Sequence, residues 1–141
     1  MNVNPFEISE LKQIWIIGSS IISRAEEHTK MRSTGTHLGL DKYGFKLTWV
    51  GMPGMSWINI VPIVFRSIRC FGIPRALLLH VGGNDLGNYS TKELIKHLKF
   101  AIYVVNRMLP NNIFYFFNYF ATKILALLIK LYCNGKRKEK S

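Results

Sequence analysis

Residues 76–87 read Ala76-Leu77-Leu78-Leu79-His80-Val81-Gly82-Gly83-Asn84-Asp85-Leu86-Gly87, and this stretch decides the fold class. The run from Ala76 to Val81 is apolar except for His80 and does not alternate, the pattern of a strand covered on both faces, as in a parallel sheet. The Gly-Gly-Asn-Asp that follows ends it abruptly. Just downstream, Ser90 and Glu93 stand three apart, the spacing of a capping box. Leu94, Ile95, Leu98, Ala101, Ile102, Val105 and Leu109 then recur at helical spacing, with Lys92, Lys96 and Lys99 largely off that face. Pro110-Asn111-Asn112 closes the helix, and Ile113–Phe117 reads as the next strand. Strand, glycine turn, capped amphipathic helix and strand make a β-α-β unit.

The same grammar extends upstream. Gln13-Ile14-Trp15-Ile16-Ile17 is a short buried strand ending at Gly18, after which Ile21, Ile22, Ala25 and His28 fall on one helical stripe. A loop punctuated by Gly35, Gly39 and Gly44 leads to a second strand, Lys46-Leu47-Thr48-Trp49-Val50, which Gly51, Pro53 and Gly54 break. Ser56 is placed to cap a helix whose Trp57, Val61, Val64 and Ile68 share a face, with Pro62 predicting a kink or a late start. The expectation is one α/β domain with parallel strands near 13–18, 46–50, 76–81 and 113–117.

Composition agrees and excludes several classes. A chain of 141 residues is one domain, and 48% hydrophobic against 19% charged residues is a globular balance. Cys70 and Cys133 form no ligand or redox spacing, which excludes a disulfide scaffold and a Cys-x-x-Cys zinc site and reads as reduced thiols in an intracellular, cytoplasmic protein. The segment Met1–Leu11 is polar and Ile14–Ile17 is too short for the apolar core of a signal peptide. Of the net charge of +11, residues 111–141 supply +5, much of it in Lys136, Arg137, Lys138 and Lys140. Such a run attracts nucleic acid or anionic lipid without specificity, yet no nucleic-acid motif accompanies it, and a solvated tail is the favoured reading. Seventeen of the 21 residues from Ile113 to Cys133 are apolar, long enough to span a bilayer. Lys123 near their centre costs about 2.5–3.5 kcal/mol on the insertion scale and brings insertion close to break-even. Residues 118–141 are therefore expected as an apolar helix, Thr122–Tyr132, and a basic tail, with membrane contact through 113–141 not favoured.

Chemistry, in a parallel α/β sheet, gathers at the carboxyl ends of the strands. Two loops there stand out: Gly18-Ser19-Ser20 and Gly82-Gly83-Asn84-Asp85. A serine opening a helix carries its hydroxyl beside its own backbone N–H, glycine admits a reacting group close to the backbone, and an asparagine amide donates to a developing oxyanion.

The order Gly-x-Ser after the first strand, Gly after the second and Gly-x-Asn-Asp after the third resembles the SGNH (GDSL-like) hydrolases, over roughly residues 11–117. The resemblance implies a flavodoxin-like three-layer α/β/α fold with strand order 2-1-3-4, here an incomplete version of the family fold. It implies esterase or acylhydrolase chemistry on a small ester or acyl substrate. Separately, no His/Cys/Asp/Glu cluster stands at metal-ligand spacing and Gly82-Gly83-Asn84 lacks the Lys-Ser/Thr of a phosphate-binding loop, so neither metal nor cofactor is expected. Ser20 takes the nucleophile position, the Gly54 N–H (Gly51 as fallback) and the Asn84 side chain take the oxyanion hole, and Asp85 supports the loop. Two features depart from the family. Ser19 stands where the family has Asp before the nucleophile, and the chain's two aspartates, Asp41 and Asp85, form no Asp-x-x-His. His80 is the nearest substitute base, read here as a core histidine, while His28, His37 and His97 have no partner suggested by spacing. The expectation is an esterase-like domain with weak or no turnover; the alternative is a non-catalytic binding or membrane-associated protein using its C-terminus.

Overall fold

The computed structural model describes residues 11–111 and 113–117, with backbone only for 114–117. The proposed helix at Thr122–Tyr132 and the basic tail lie outside them. Within the described residues the chain is α/β. Strand β1 (Lys12–Gly18) is followed by helix α1 (Ser20–Lys30), a short 3-10 turn (Leu40–Tyr43) and β2 (Phe45–Gly51). Helix α2 (Trp57–Phe71), β3 (Ala76–His80), α3 (Thr91–Met108) and β4 (Phe114–Phe117) complete the order. The strands lie side by side as β2-β1-β3-β4, all neighbours parallel.

Register explains the core. Trp15 and Ile17 of β1 stand beside Leu77 and Leu79 of β3, and these four point to one face. There Trp57, Ile60 and Val64 of α2 and Leu94, Leu98, Ala101 and Val105 of α3 cover them. The alternate residues, Ile14, Ile16 and Leu78, are only half-buried, so the continuous apolar run of β3 is fully sealed on one side and not on both. Helix α1 packs against β1 and β2, on the second side, where a Cβ on Gly18 would strike Ile22 of α1.

Local signals behave largely as the sequence suggests. Ser90 Oγ accepts from the Glu93 N–H at 3.2 Å and Glu93 Oε2 accepts from the Ser90 N–H at 3.2 Å, closing the capping box that starts α3. Ser56 caps α2, with its backbone N–H donating to Asn59 Oδ1 at 2.9 Å. Pro62 neither delays nor splits α2, which runs unbroken from Trp57 to Phe71. Its ring lies on the exposed side of the helix, as does Ile58 one turn earlier, whose carbonyl loses the N–H partner, and on that side a helix tolerates proline best.

Two helical stripes are corrected. In α1 the buried positions are Ile22 and Thr29, seven apart, while Ile21 is 56% exposed and His28 is exposed as well. Beginning the helix at Ser20 rotates residue 22 toward the sheet and residue 21 about 100° away from it. In α2 the deepest positions are Trp57, Ile60, Ile63, Val64 and Ser67, with Val61 and Ile68 half-buried on the flank. The fourth strand starts at Phe114, after a buried Ile113.

The open edge of β2 is covered by its own preceding loop. His37 Nδ1 accepts the Leu47 N–H at 3.0 Å, and the Trp49 indole N–H donates to the Thr36 carbonyl at 2.8 Å. A bare edge strand is an aggregation hazard, so His37 has a structural task that its sequence neighbourhood did not suggest.

Candidate functional site

Because β1, β2 and β3 are parallel and in register, their carboxyl ends finish together: Gly18 lies beside Gly51 on one side and His80 on the other. The loops carrying Ser20, Gly54 and Asn84 leave the sheet from this common edge. They are tied by backbone bonds, the Met52 N–H to the Gly18 carbonyl at 2.9 Å and the Ser19 N–H to the His80 carbonyl at 3.4 Å.

Ser19 is the N-cap of α1 and Ser20 its first residue. The Ser19 carbonyl receives the Ile22 N–H at 3.0 Å and the Ser23 N–H at 3.3 Å, while the Ser19 side chain makes no capping bond. The N–H groups of the first turn at Ser20 and Ile21 are the ones a helix leaves unsatisfied, and with the helix dipole they favour negative charge at this edge.

Two glycines hold the close approach of α1 to the sheet. A Cβ on Gly18 would sit 2.7 Å from the His80 carbonyl oxygen and would strike Ile22. A Cβ on Gly51 would sit 2.7 Å from the Ser23 backbone nitrogen. The identity of Gly51 is thus explained by packing without any role in binding an oxyanion. Gly54 differs: nothing lies within 4 Å of its would-be Cβ, and its φ of +75° follows from its place in the turn Met52-Pro53-Gly54-Met55. That turn closes through the Met55 N–H to the Met52 carbonyl at 3.1 Å, with proline and glycine at the positions a type II turn prefers. No hydrogen bond within the described residues takes up the Gly54 N–H.

Asn84 is exposed, and its Nδ2 donates to the Met55 carbonyl at 3.1 Å, joining the third loop to the second. One of its two amide hydrogens is engaged in this way and one remains. Asp85 is fully buried. Its two carboxylate oxygens lie 3.4 Å from the Trp57 N–H, the first N–H of α2, so it anchors the loop to a helix N-terminus. Burial pushes its pKa up, against the opposing influence of the Trp57 N–H and of His97.

Among the histidines, His80 ends β3 on the face that α1 covers, and a Cβ at Gly18 would lie 3.2 Å from the His80 Cβ. It is half-buried and not a full core residue, with Nδ1 enclosed and unbonded to any described residue. The last position of a strand is only partly roofed by the helix above it, which accounts for the difference. His97 stacks edge-on with Tyr89 at 4.7 Å between ring centroids, at the other side of the loop. His28 lies exposed on α1 and His37 at the β2 edge, so neither joins the site.

No cluster of three or more His, Cys, Asp or Glu side chains among the described residues is arranged to hold a metal ion. An apolar crevice between α2 and α3, lined by Trp57, Ile60, Leu79 and Val105, lies under the helical layer and offers almost no polar group to orient a substrate. No helix of the described residues is long and apolar enough to cross a membrane. Compared with profiles of known protein families and with curated proteins, the chain matches none.

Proposed function

We propose that this chain is an SGNH-hydrolase-like domain in which Ser20 holds the nucleophile position and Gly54 and Asn84 supply oxyanion donors, with ester hydrolysis weak or absent. The supporting observation is the shared edge: the loops that carry Gly-x-Ser, the second glycine and Gly-x-Asn-Asp leave three adjacent parallel strands at the same end. The flavodoxin-like assignment belongs to this proposal. So does a small ester or acyl group as ligand, with its carbonyl oxygen toward the Gly54 N–H and the free amide hydrogen of Asn84.

Turnover needs a nucleophile, a base to take its proton, and donors for the oxyanion. The 141 residues contain no Asp-x-x-His, and His80, the one histidine beside the edge, has no acid oriented on its ring among the described residues. General-base assistance is worth about 10²–10⁴-fold, and serine proteases stripped of a triad member keep about 10³–10⁴-fold over water from oxyanion binding alone. Binding without efficient hydrolysis is the reading this favours.

The test is p-nitrophenyl acetate turnover by the full chain, Ser20→Ala and His80→Ala. The expected result is a rate little above buffer in all three. Enzyme-like turnover abolished in both variants would make His80 a working base and refute the weak-activity reading. Turnover lost only in Ser20→Ala would refute it equally and require another base.

A further inference from the structure

We infer that the outer surface of the α2–α3 layer is a docking face for an anionic lipid bilayer, separate from the loop edge discussed above. The helices pack side by side over the sheet, and each presents to solvent a stripe of the same form. On α2, Ile58, Pro62, Phe65 and Arg69 are exposed at spacings of four, three and four; on α3, Lys96, Phe100, Tyr103 and Arg107 repeat that spacing. The large side chains are well out in solvent: Ile58 is 49%, Phe65 54%, Phe100 62% and Tyr103 63% exposed. One or two such residues are ordinary on a surface, but four on the solvent stripes of two helices that pack together are more than that.

Charge identifies the occupant. Arg66, Arg69, Lys96, Lys99 and Arg107 are all exposed on these two helices, and none forms an ion pair with a described residue. The only exposed carboxylate on either helix is Glu93, in the first turn of α3 and engaged in its cap. Two copies of this face would repel each other. Two arginines lie beside the rings one turn before them: the Arg69 guanidinium is 5.9 Å from the centre of the Phe65 ring, and that of Arg107 is 5.9 Å from the centre of Tyr103. An aromatic body with a cationic tip suits the headgroup boundary, where the ring enters the acyl region and the guanidinium meets lipid phosphate. The two-helix layer lies in the interface plane and does not span it. Ile58 and Pro62, aliphatic and exposed on the same stripe as Phe65, suit an acyl layer and offer a nucleic-acid base no stacking face and an acidic peptide no charge.

The experiment is sedimentation of the full chain with large unilamellar vesicles of phosphatidylcholine alone or with 30% phosphatidylserine. Binding is expected to the anionic vesicles, at least tenfold weaker to the neutral ones, and falling as salt rises. Arg69→Gln/Arg107→Gln is expected to lower partitioning about 25-fold, at roughly fivefold per basic residue near the surface, and Phe65→Ser/Phe100→Ser at least tenfold. Both pairs are exposed, so unchanged thermal melting is expected and verifies folding. The basic tail is controlled by Lys136→Gln/Arg137→Gln/Lys138→Gln/Lys140→Gln, in which the ratio between intact and substituted helix faces is expected to persist. The proposal is overturned if the helix-face variants bind like the wild type, if only the tail variant loses binding, or if neutral and anionic vesicles bind equally. It is also overturned if a single-stranded oligonucleotide binds through this face while vesicles do not.

Discussion

Gly51→Ala tests the packing role assigned to Gly51 at the loop edge. The added Cβ would meet the Ser23 backbone nitrogen at 2.7 Å and the Ser23 Cα at 2.9 Å, against an ordinary contact of about 3.5 Å. Trimming Ser23 gives no relief, because the obstacle is the helix backbone itself; α1 must lift from β2 by about 0.6–0.8 Å at its first turn. Overpacking of this kind costs about 1–3 kcal/mol, and a backbone obstacle belongs in the upper half of that range. In urea unfolding of the full chain followed by far-UV circular dichroism, a loss of about 2 kcal/mol lowers the midpoint by about 1 M for a slope near 2 kcal/mol/M. Melting falls by about 7–9 °C. Gly83→Ala is the control, since nothing lies within 4 Å of its would-be Cβ and its φ is not positive; its stability is expected within about 0.5 kcal/mol of wild type. A Gly51→Ala protein as stable as the control would refute the close approach of α1 to β2.

Other consequences concern individual side chains. Asp85 has a folded pKa raised above the ordinary value of 3.8, so the fold favours its protonated form, and that contribution is lost as pH rises through the folded pKa. Asp85→Asn should therefore gain stability relative to wild type across that window and then hold a constant difference; a pH-independent offset in thermal melts would contradict it. Pro62→Ala restores an N–H to the interior of α2 at an exposed position and is expected to stabilise by about 1–3 kcal/mol in chemical unfolding; no gain would refute a cost of the missing N–H there. Ser90→Ala removes the acceptor for the Glu93 N–H and should cost about 1 kcal/mol, measured the same way; a neutral result would mean that water caps α3 equally well.

The sequence alone determined what depends on neighbours along the chain. Apolar runs bounded by glycine located β1, β2 and β3 to within a residue or so, because a buried strand needs both local extension and sharp ends. The Ser90–Glu93 box located the start of α3, since both partners lie within one turn. The loops bearing Ser20, Gly54 and Asn84 were legible as breaks after strands for the same reason. Only the tertiary structure decided contacts between distant residues. That Gly51 is a glycine because Ser23 lies above it, that His37 seals the β2 edge, and that Asn84 already holds Met55 are relations across 10 to 29 positions, visible only once the sheet is assembled. The same holds for which face of a helix is wet. Ile21 and Ile22 are equally apolar, and the starting residue of α1 and its angle on the sheet send one to solvent and the other into the core. Helix propensity sets where a helix forms, whereas burial is set by what it lands on, and here that is a sheet sealed fully on one face by α2 and α3.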